Sequence, residues 1–332
     1  LVKGLFIMDE DVMDKVYPDN IKKEIESLVD IKQKPMTSKE VEENLDVLKD
    51  IDVIFSSWGG PNLNENFLNY APNLKIMFYG AGTIKKIVTD ESWKRGIRVT
   101  TANAANAIPV AEFTIASIIF GLKNVVQMKN LIKNTREYPS IPHQNIKGVF
   151  DSTVGIISLG AIGSEVLKRL KNFDVNITVY HPSLTKEEAK ELGVEFVSLD
   201  EMFKTCDVVT LHAPLLDSTR GMITGDHIKL MKENGVFINT ARGAIVKENE
   251  LIEVLKERKD ITAFLDVVYP EPPAEDSPLY DMDNVFLTPH IAGSEGKEIG
   301  RMGKFMLEEL KRYLNGESLK WEVTKEKYEK MA

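Results

Sequence analysis

Residues 153–170 read TVGIISLGAIGSEVLKRL, and their order decides the fold. TVGIIS is a short apolar run rich in β-branched residues, the pattern of a buried strand. SLGAIG is a glycine-bearing turn, and SEVLKRL repeats its apolar residues at the helical period. Strand, tight turn and helix in this order are the opening of a dinucleotide-binding α/β unit. Gly160 would let the backbone approach a pyrophosphate, and Gly163 would let the helix pack closely on the strand. Backbone N–H groups at the helix start would then face the phosphates. The candidate cradle is Ser158, Leu159, Gly160, Ala161, Ile162 and Gly163. Ser158 stands where the usual pattern has its first glycine, and serine tolerates fewer backbone angles.

Outward from this turn, short apolar runs alternate with amphipathic helical stretches, as in parallel βα units. Before it, GLFIM (4–8), DVIFSS (52–57) and KIMFYG (75–80) read as strands. After it come ITVY (177–180), VEFVS (194–198), DVVTLH (207–212), GVFINT (235–240), ITAFLDV (261–267) and NVFLTP (284–289). An apolar stretch, IPVAEFTIASIIFGL (108–122), is interrupted by Glu112 and falls short of a membrane span. The polar stretch 134–148, with two prolines, reads as an excursion from the core. A last long helix, roughly 294–315, stops at Asn315-Gly316. The prediction is two α/β domains, with the final helix returning to the first.

A chain of 332 residues with 43% hydrophobic and 28% charged residues suits two globular domains. A net charge of −9 with dispersed Lys and Arg argues against a nucleic-acid partner. The acidic start LVKGLFIMDED lacks signal-peptide features, so a cytoplasmic location is expected, with no membrane partner. Cys206 is the only cysteine, which excludes an intrachain disulfide or a cysteine-based zinc site. No metal is expected.

About twenty residues beyond the turn, NAD-selective sites place Asp or Glu against the ribose 2′-OH. Here ITVY is followed by His181, Pro182 and Ser183, and the nearest acids, Glu187 and Glu188, belong to the next helix. A 2′-phosphate meets no carboxylate there, so the expected cofactor is NAD or NADP, with NADPH slightly favoured.

Three later strand ends carry groups suited to hydride transfer at a carbonyl. VFINTARGAIV places Arg242 beyond a strand, where its planar fork can hold a carboxylate. ITAFLDVVYPEPP places Glu271 in a proline-rich loop, and NVFLTPHIAG places His290 after a strand. Reduction of a 2-oxo acid needs a proton at the developing alkoxide; an imidazolium supplies it, and a bonded carboxylate orients the ring. Each residue alone is more commonly structural. Their placement on successive strand ends, where open α/β sheets bind ligands, carries the reading.

SLGAIG, LHAPLLDSTRGMI, MKENGVFINTARGAIV, LDVVYPEPP and TPHIAG, with NAANAIPVAEFT near residue 105, together resemble the D-isomer-specific 2-hydroxyacid dehydrogenase family. The resemblance implies Arg242 as carboxylate ligand, His290 as acid/base with Glu271 as its partner, and Asp266 at the nicotinamide carboxamide. It adds His212, Ala213, Pro214, Thr219, Thr240, Ala241, Ala292 and Gly293 to the cofactor contacts. It makes Tyr79, Gly80, Ala81 and Gly82 a substrate-carboxylate loop, brings Asn106 to the cleft and offers Trp58 as a pocket wall. It also implies two Rossmann-like or flavodoxin-like parallel-sheet domains with a cleft between them. The substrate domain is discontinuous, 1–117 plus 296–332, around a cofactor domain at 118–295. The implied assembly is a homodimer acting on a small 2-oxo or 2-hydroxy acid. The main rival from another class is a dinucleotide-sensing regulatory protein on the same fold. Glu271, where formate dehydrogenases carry Gln, disfavours that enzyme.

Overall fold

A computed structural model describes residues 1–31, 33–138 and 146–331. Of the stretch expected to leave the core, residues 139–145 lie outside the described residues. Contacts group the chain into two units, Leu1–Asn106 with Ser294–Ala332, and Ala107–Gly293.

The first unit is built on β1 (Lys3–Ile7), β2 (Asp30–Ile31), β3 (Val53–Ser56), β4 (Ile76–Tyr79) and β5 (Arg98–Thr101). The strands are parallel in the order β2-β1-β3-β4-β5, the flavodoxin-like order. Buried on both faces, they read as continuous apolar runs. Phe55 and Phe78 stack at 5.3 Å between ring centroids on one face. The helix Ile299–Leu314 covers that face with Met302, Met306, Leu307 and Leu310. It begins later than predicted, because a 3-10 turn at Gly296–Glu298 with Gly296 at φ 54° comes first. Gly303 has no room for a side chain: a Cβ would stand 1.8 Å from the Val16 carbonyl oxygen. Glu309, fully buried, accepts from the Lys320 and Trp321 amides and from Arg312, fastening the tail to the helix.

The second unit contains β6 (Thr153–Ile157), β7 (Asn176–Tyr180), β8 (Glu195–Phe196), β9 (Val208–Leu211), β10 (Val236–Asn239), β11 (Thr262–Leu265) and β12 (Val285–Leu287). All seven are parallel, in the order β12-β11-β10-β9-β6-β7-β8. The order reverses between β6 and β9, so the ligand crevice falls at their carboxyl ends. The predicted strand VEFVS contributes only two paired residues, at the sheet edge.

The apolar stretch at 108–122 belongs to a longer helix, Asn103–Leu122, with Pro109 inside it. By length and composition this helix is apolar enough to cross a membrane, contrary to the expectation from residues 108–122. Its Ala111, Ile118 and Leu122 pack in one cluster with Val154, Val208 and Val236 of the second sheet, as a core helix does. A Cβ on Gly121 would stand 2.6 Å from Val236 Cγ1, so the glycine permits this approach. The unit boundary at 106/107 lies early in the helix, ahead of 117, because its later turns pack on that sheet.

Candidate active site

In the second unit the sequence-derived candidates gather at the carboxyl ends of one parallel sheet. Ser158–Gly163 follows β6, His181–Ser183 follows β7, His212–Pro214 follows β9 and Thr240–Arg242 follows β10. Asp266 follows β11, and His290–Gly293 follows β12.

The turn after β6 fits a dinucleotide. A Cβ on Gly160 would meet nothing within 4 Å, leaving its backbone open to a ligand. A Cβ on Gly163 would stand 2.0 Å from the Ser158 carbonyl oxygen, so helix and strand are in backbone contact. Ser158 holds the φ of 77° that a glycine adopts without cost. Its amide donates to the Tyr180 carbonyl at 2.7 Å.

At the ribose position the His181 ring is held at both nitrogens. Nδ1 accepts from the Leu159 amide at 3.4 Å, and Nε2 lies 3.2 Å from Ser183 Oγ. Burial pushes the imidazole below its usual range, and Glu188 pulls it back. Glu188 is exposed and closes the Thr185 capping box, accepting from the Thr185 amide and hydroxyl at 2.8 and 2.9 Å. Of the two acids in the first turn of that helix, Glu187 and Glu188, the second is therefore bonded to its own N-cap.

His212 is 6% exposed, and burial lowers its pKa to about 3. Its Nε2 pairs with Thr210 Oγ1 at 2.9 Å, whereas Nδ1 is buried without a partner among the described residues. The Thr219 hydroxyl is used within its own turn, on the Pro214 carbonyl at 2.6 Å and the Leu216 amide at 2.8 Å. Ala213, Thr240, Ala241 and Ala292 are buried.

Arg242 sits in a turn bracketed by Asn239, whose Nδ2 donates to the Arg242 carbonyl at 3.2 Å and whose Oδ1 accepts from the Ala241 amide at 3.0 Å. Its Nη1 donates to the Ala241 carbonyl at 2.6 Å. Burial lowers the guanidinium pKa, and the charge of Glu271 raises it, which places the two side chains within electrostatic reach.

His290 adopts φ 56°, a left-handed conformation that costs an ordinary residue about 1 kcal/mol. Its amide donates to the Asp266 and Thr288 carbonyls at 2.9 and 3.0 Å. The buried Asp266 carboxylate fixes the same loop by accepting from Thr288 Oγ1 at 2.6 Å, the Ile291 amide at 2.8 Å and the Ala292 amide at 2.9 Å. An ionised carboxylate has about four acceptor positions, so most of Asp266 serves the loop. In consequence His290 Nδ1 meets Glu271 Oε1 at 2.6 Å, with both side chains nearly half exposed. Nε2 makes no hydrogen bond among the described residues.

In the first unit, Trp58 follows β3 and is 41% exposed, its carbonyl accepting from the Asp9 amide at 3.0 Å. Tyr79 ends β4 with its ring inside the core, and burial with the nearby Asp9 charge raises its pKa to about 12. Gly80 is fully engaged: its amide donates to Ser56 and its carbonyl accepts from Ser57 Oγ. The amides of Ala81 and Gly82 have no partner among the described residues. Asn106 Oδ1 accepts from the Ser294 amide at 2.8 Å. Among the described residues, no group of three or more His, Cys, Asp or Glu side chains is arranged to hold a metal ion.

The sequence gives no signal for Asn239, which holds the Arg242 turn through backbone groups two and three residues on, nor for Gly243 and Glu248, which meet the backbone of Val268 and Tyr269.

A parallel sheet with a phosphate-fitting turn at its switch point, and a bonded carboxylate–imidazole pair within reach of an arginine, define a dinucleotide-binding protein of the hydroxyacid dehydrogenase class. Residues 115–292 match the D-isomer specific 2-hydroxyacid dehydrogenase, NAD binding domain, and the chain belongs to that family. It is 36% identical over 279 residues to a D-3-phosphoglycerate dehydrogenase of Methanocaldococcus jannaschii, covering 83% of this chain and 52% of that one. It is 32% identical to a glyoxylate reductase of Korarchaeum cryptofilum, over 81% of this chain and 82% of the relative. The chain thus spans about half the length of the first relative and most of the second. The structure of a D-lactate dehydrogenase from Aquifex aeolicus, complexed with NAD and lactic acid, superposes with a TM-score of 0.68 at 27% identity. That match covers 95% of this chain and 96% of the other.

Proposed function

We propose that the protein interconverts a 2-oxo acid and a D-2-hydroxy acid with NADH or NADPH, and that Arg242, Glu271 and His290 carry the reaction. The observation that carries this reading is the 2.6 Å bond between His290 Nδ1 and Glu271, formed at the strand ends that also present the dinucleotide turn. The bound dinucleotide supplies the hydride. Arg242 holds the substrate carboxylate through its forked N–H groups and polarises the adjacent carbonyl. His290 gives a proton from Nε2 to the carbonyl oxygen as it gains charge, and Glu271 holds the ring and favours its charged form. In the reverse direction Nε2 takes the hydroxyl proton. The amides of Ala81 and Gly82, without a partner among the described residues, and the exposed Trp58 ring are proposed substrate contacts. For Tyr79 the proposal is confined to its backbone, since its ring is in the core. Asp266 organises the His290 loop in addition to any cofactor contact.

For the cofactor we propose that both NADH and NADPH are accepted, with NADPH slightly favoured. His181 supports this, because the residue after β7 is an imidazole in place of a carboxylate, and the Glu188 carboxylate is bonded to the Thr185 amide. A homodimer built on the second unit is supported by Phe120, Tyr138, Phe150 and Phe286, all large and exposed there; sedimentation as a monomer would count against it. Loss of reduced-dinucleotide absorbance on adding 2-oxo acids, abolished in His290→Ala with dinucleotide binding retained, is the experiment for the whole reading.

A further inference from the structure

Glu271 must meet His290, yet the loop that carries it, Tyr269-Pro270-Glu271-Pro272-Pro273, is poor in the groups that usually anchor backbone. Three of its five residues are prolines without an N–H. The Glu271 amide makes no hydrogen bond among the described residues. The Tyr269 amide does: it donates to Glu248 Oε2 at 2.8 Å. Glu248 begins the helix Glu248–Glu257, so the acceptor is mounted on regular structure. From another side the Arg242 turn lies directly on the same loop. A Cβ on Gly243 would stand 2.0 Å from the Val268 carbonyl carbon and oxygen and 2.6 Å from the Tyr269 nitrogen.

We propose that Glu248 is a positioning residue: its bond to the Tyr269 amide, with the Gly243 backbone contact, holds Glu271 in line with His290 Nδ1. Without it the only N–H anchor of residues 269–273 among the described residues is lost, and Glu271 moves relative to the His290 loop, which Asp266 holds independently. Only the kinetic consequence rests on the proposed function; the geometry of the pair is measurable without turnover.

The test compares Glu248→Ala and Glu248→Gln with the unmodified protein, labelled with 15N-histidine. The Nδ1–H proton of a short imidazole–carboxylate bond resonates far downfield, and His290→Ala assigns it by its disappearance. In Glu248→Ala the resonance moves upfield or broadens, and kcat/KM falls about tenfold to a hundredfold, the scale of a misplacement near 1 Å. Dinucleotide affinity stays within twofold. Glu248→Gln, which keeps an acceptor oxygen, restores both readouts. Should Glu248→Ala fail to fold, Glu248→Asp withdraws the acceptor by one methylene and must shift the resonance in the same direction. An unmoved resonance with kcat/KM within twofold would overturn the proposal. Absence of any turnover in the unmodified protein would count against the proposed function, while the resonance would still decide the role of Glu248.

Discussion

Asp266→Ala separates the organisation of the His290 loop from the chemistry of the ring. The carboxylate is 2% exposed and accepts three hydrogen bonds from residues 288–292. Its removal strands the Ala292 amide, whose residue is 1% exposed, at about 1–3 kcal/mol. Thr288 Oγ1 and the Ile291 amide lie nearer solvent, and water replaces part of what they lose. Relief of burying a charge offsets another part. The net expectation is about 2 kcal/mol, a sizeable share of the roughly 5–15 kcal/mol that holds a typical protein folded. The left-handed His290 also loses the loop that enforces it, so turnover falls about a hundredfold. All three tryptophans, Trp58, Trp93 and Trp321, lie in the first unit. Unfolding is therefore best followed by far-UV circular dichroism in urea. A loss below about 1 kcal/mol with unchanged turnover would refute the loop role of Asp266.

His212 predicts a pH-dependent stability. Its folded pKa of about 3 lies below the unfolded value of about 6.5, so its contribution is full above pH 6.5 and is lost as pH falls toward 3, where only the unfolded chain takes the proton. Between pH 6 and 5 the unfolding free energy of the unmodified protein should drop relative to His212→Gln by about 1.2 kcal/mol; parallel urea curves would contradict this. His181→Asp places a carboxylate at the ribose position. It should weaken NADPH binding at least about tenfold, roughly 1.4 kcal/mol, and strengthen NADH; equal effects on both, measured by fluorescence titration, would remove His181 from cofactor choice.

The parallel strands were legible because burial on both faces makes them continuous apolar runs, as in VFIN and TVGII. Asp30–Ile31 and Arg98–Thr101 escaped that reading because one is two residues long and the other begins with arginine and ends in threonines. The glycine turn and the Arg242, Glu271 and His290 segments announce themselves through residue types at strand ends. Their supporting bonds do not. Asn239 grips a turn through its backbone, Glu248 reaches an amide 21 residues away, and Asp266 binds donors up to 26 residues away. A sequence shows that such residues are polar, but only the folded chain shows which backbone groups they meet. Asp266 illustrates the point: strand-end position suggests a ligand contact, whereas most of its acceptor capacity is spent on the loop bearing His290.

The most direct measurement is the loss of NADH and NADPH absorbance with glyoxylate, hydroxypyruvate, pyruvate, phenylpyruvate and branched-chain 2-oxo acids, run beside His290→Ala. At least one oxo acid should oxidise both dinucleotides, slightly faster with NADPH, to a D-configured product, with a loss of about a hundredfold or more in His290→Ala. No oxidation of either dinucleotide by any member, in a protein shown to bind one of them, or equal rates with and without the imidazole, would contradict the proposed function.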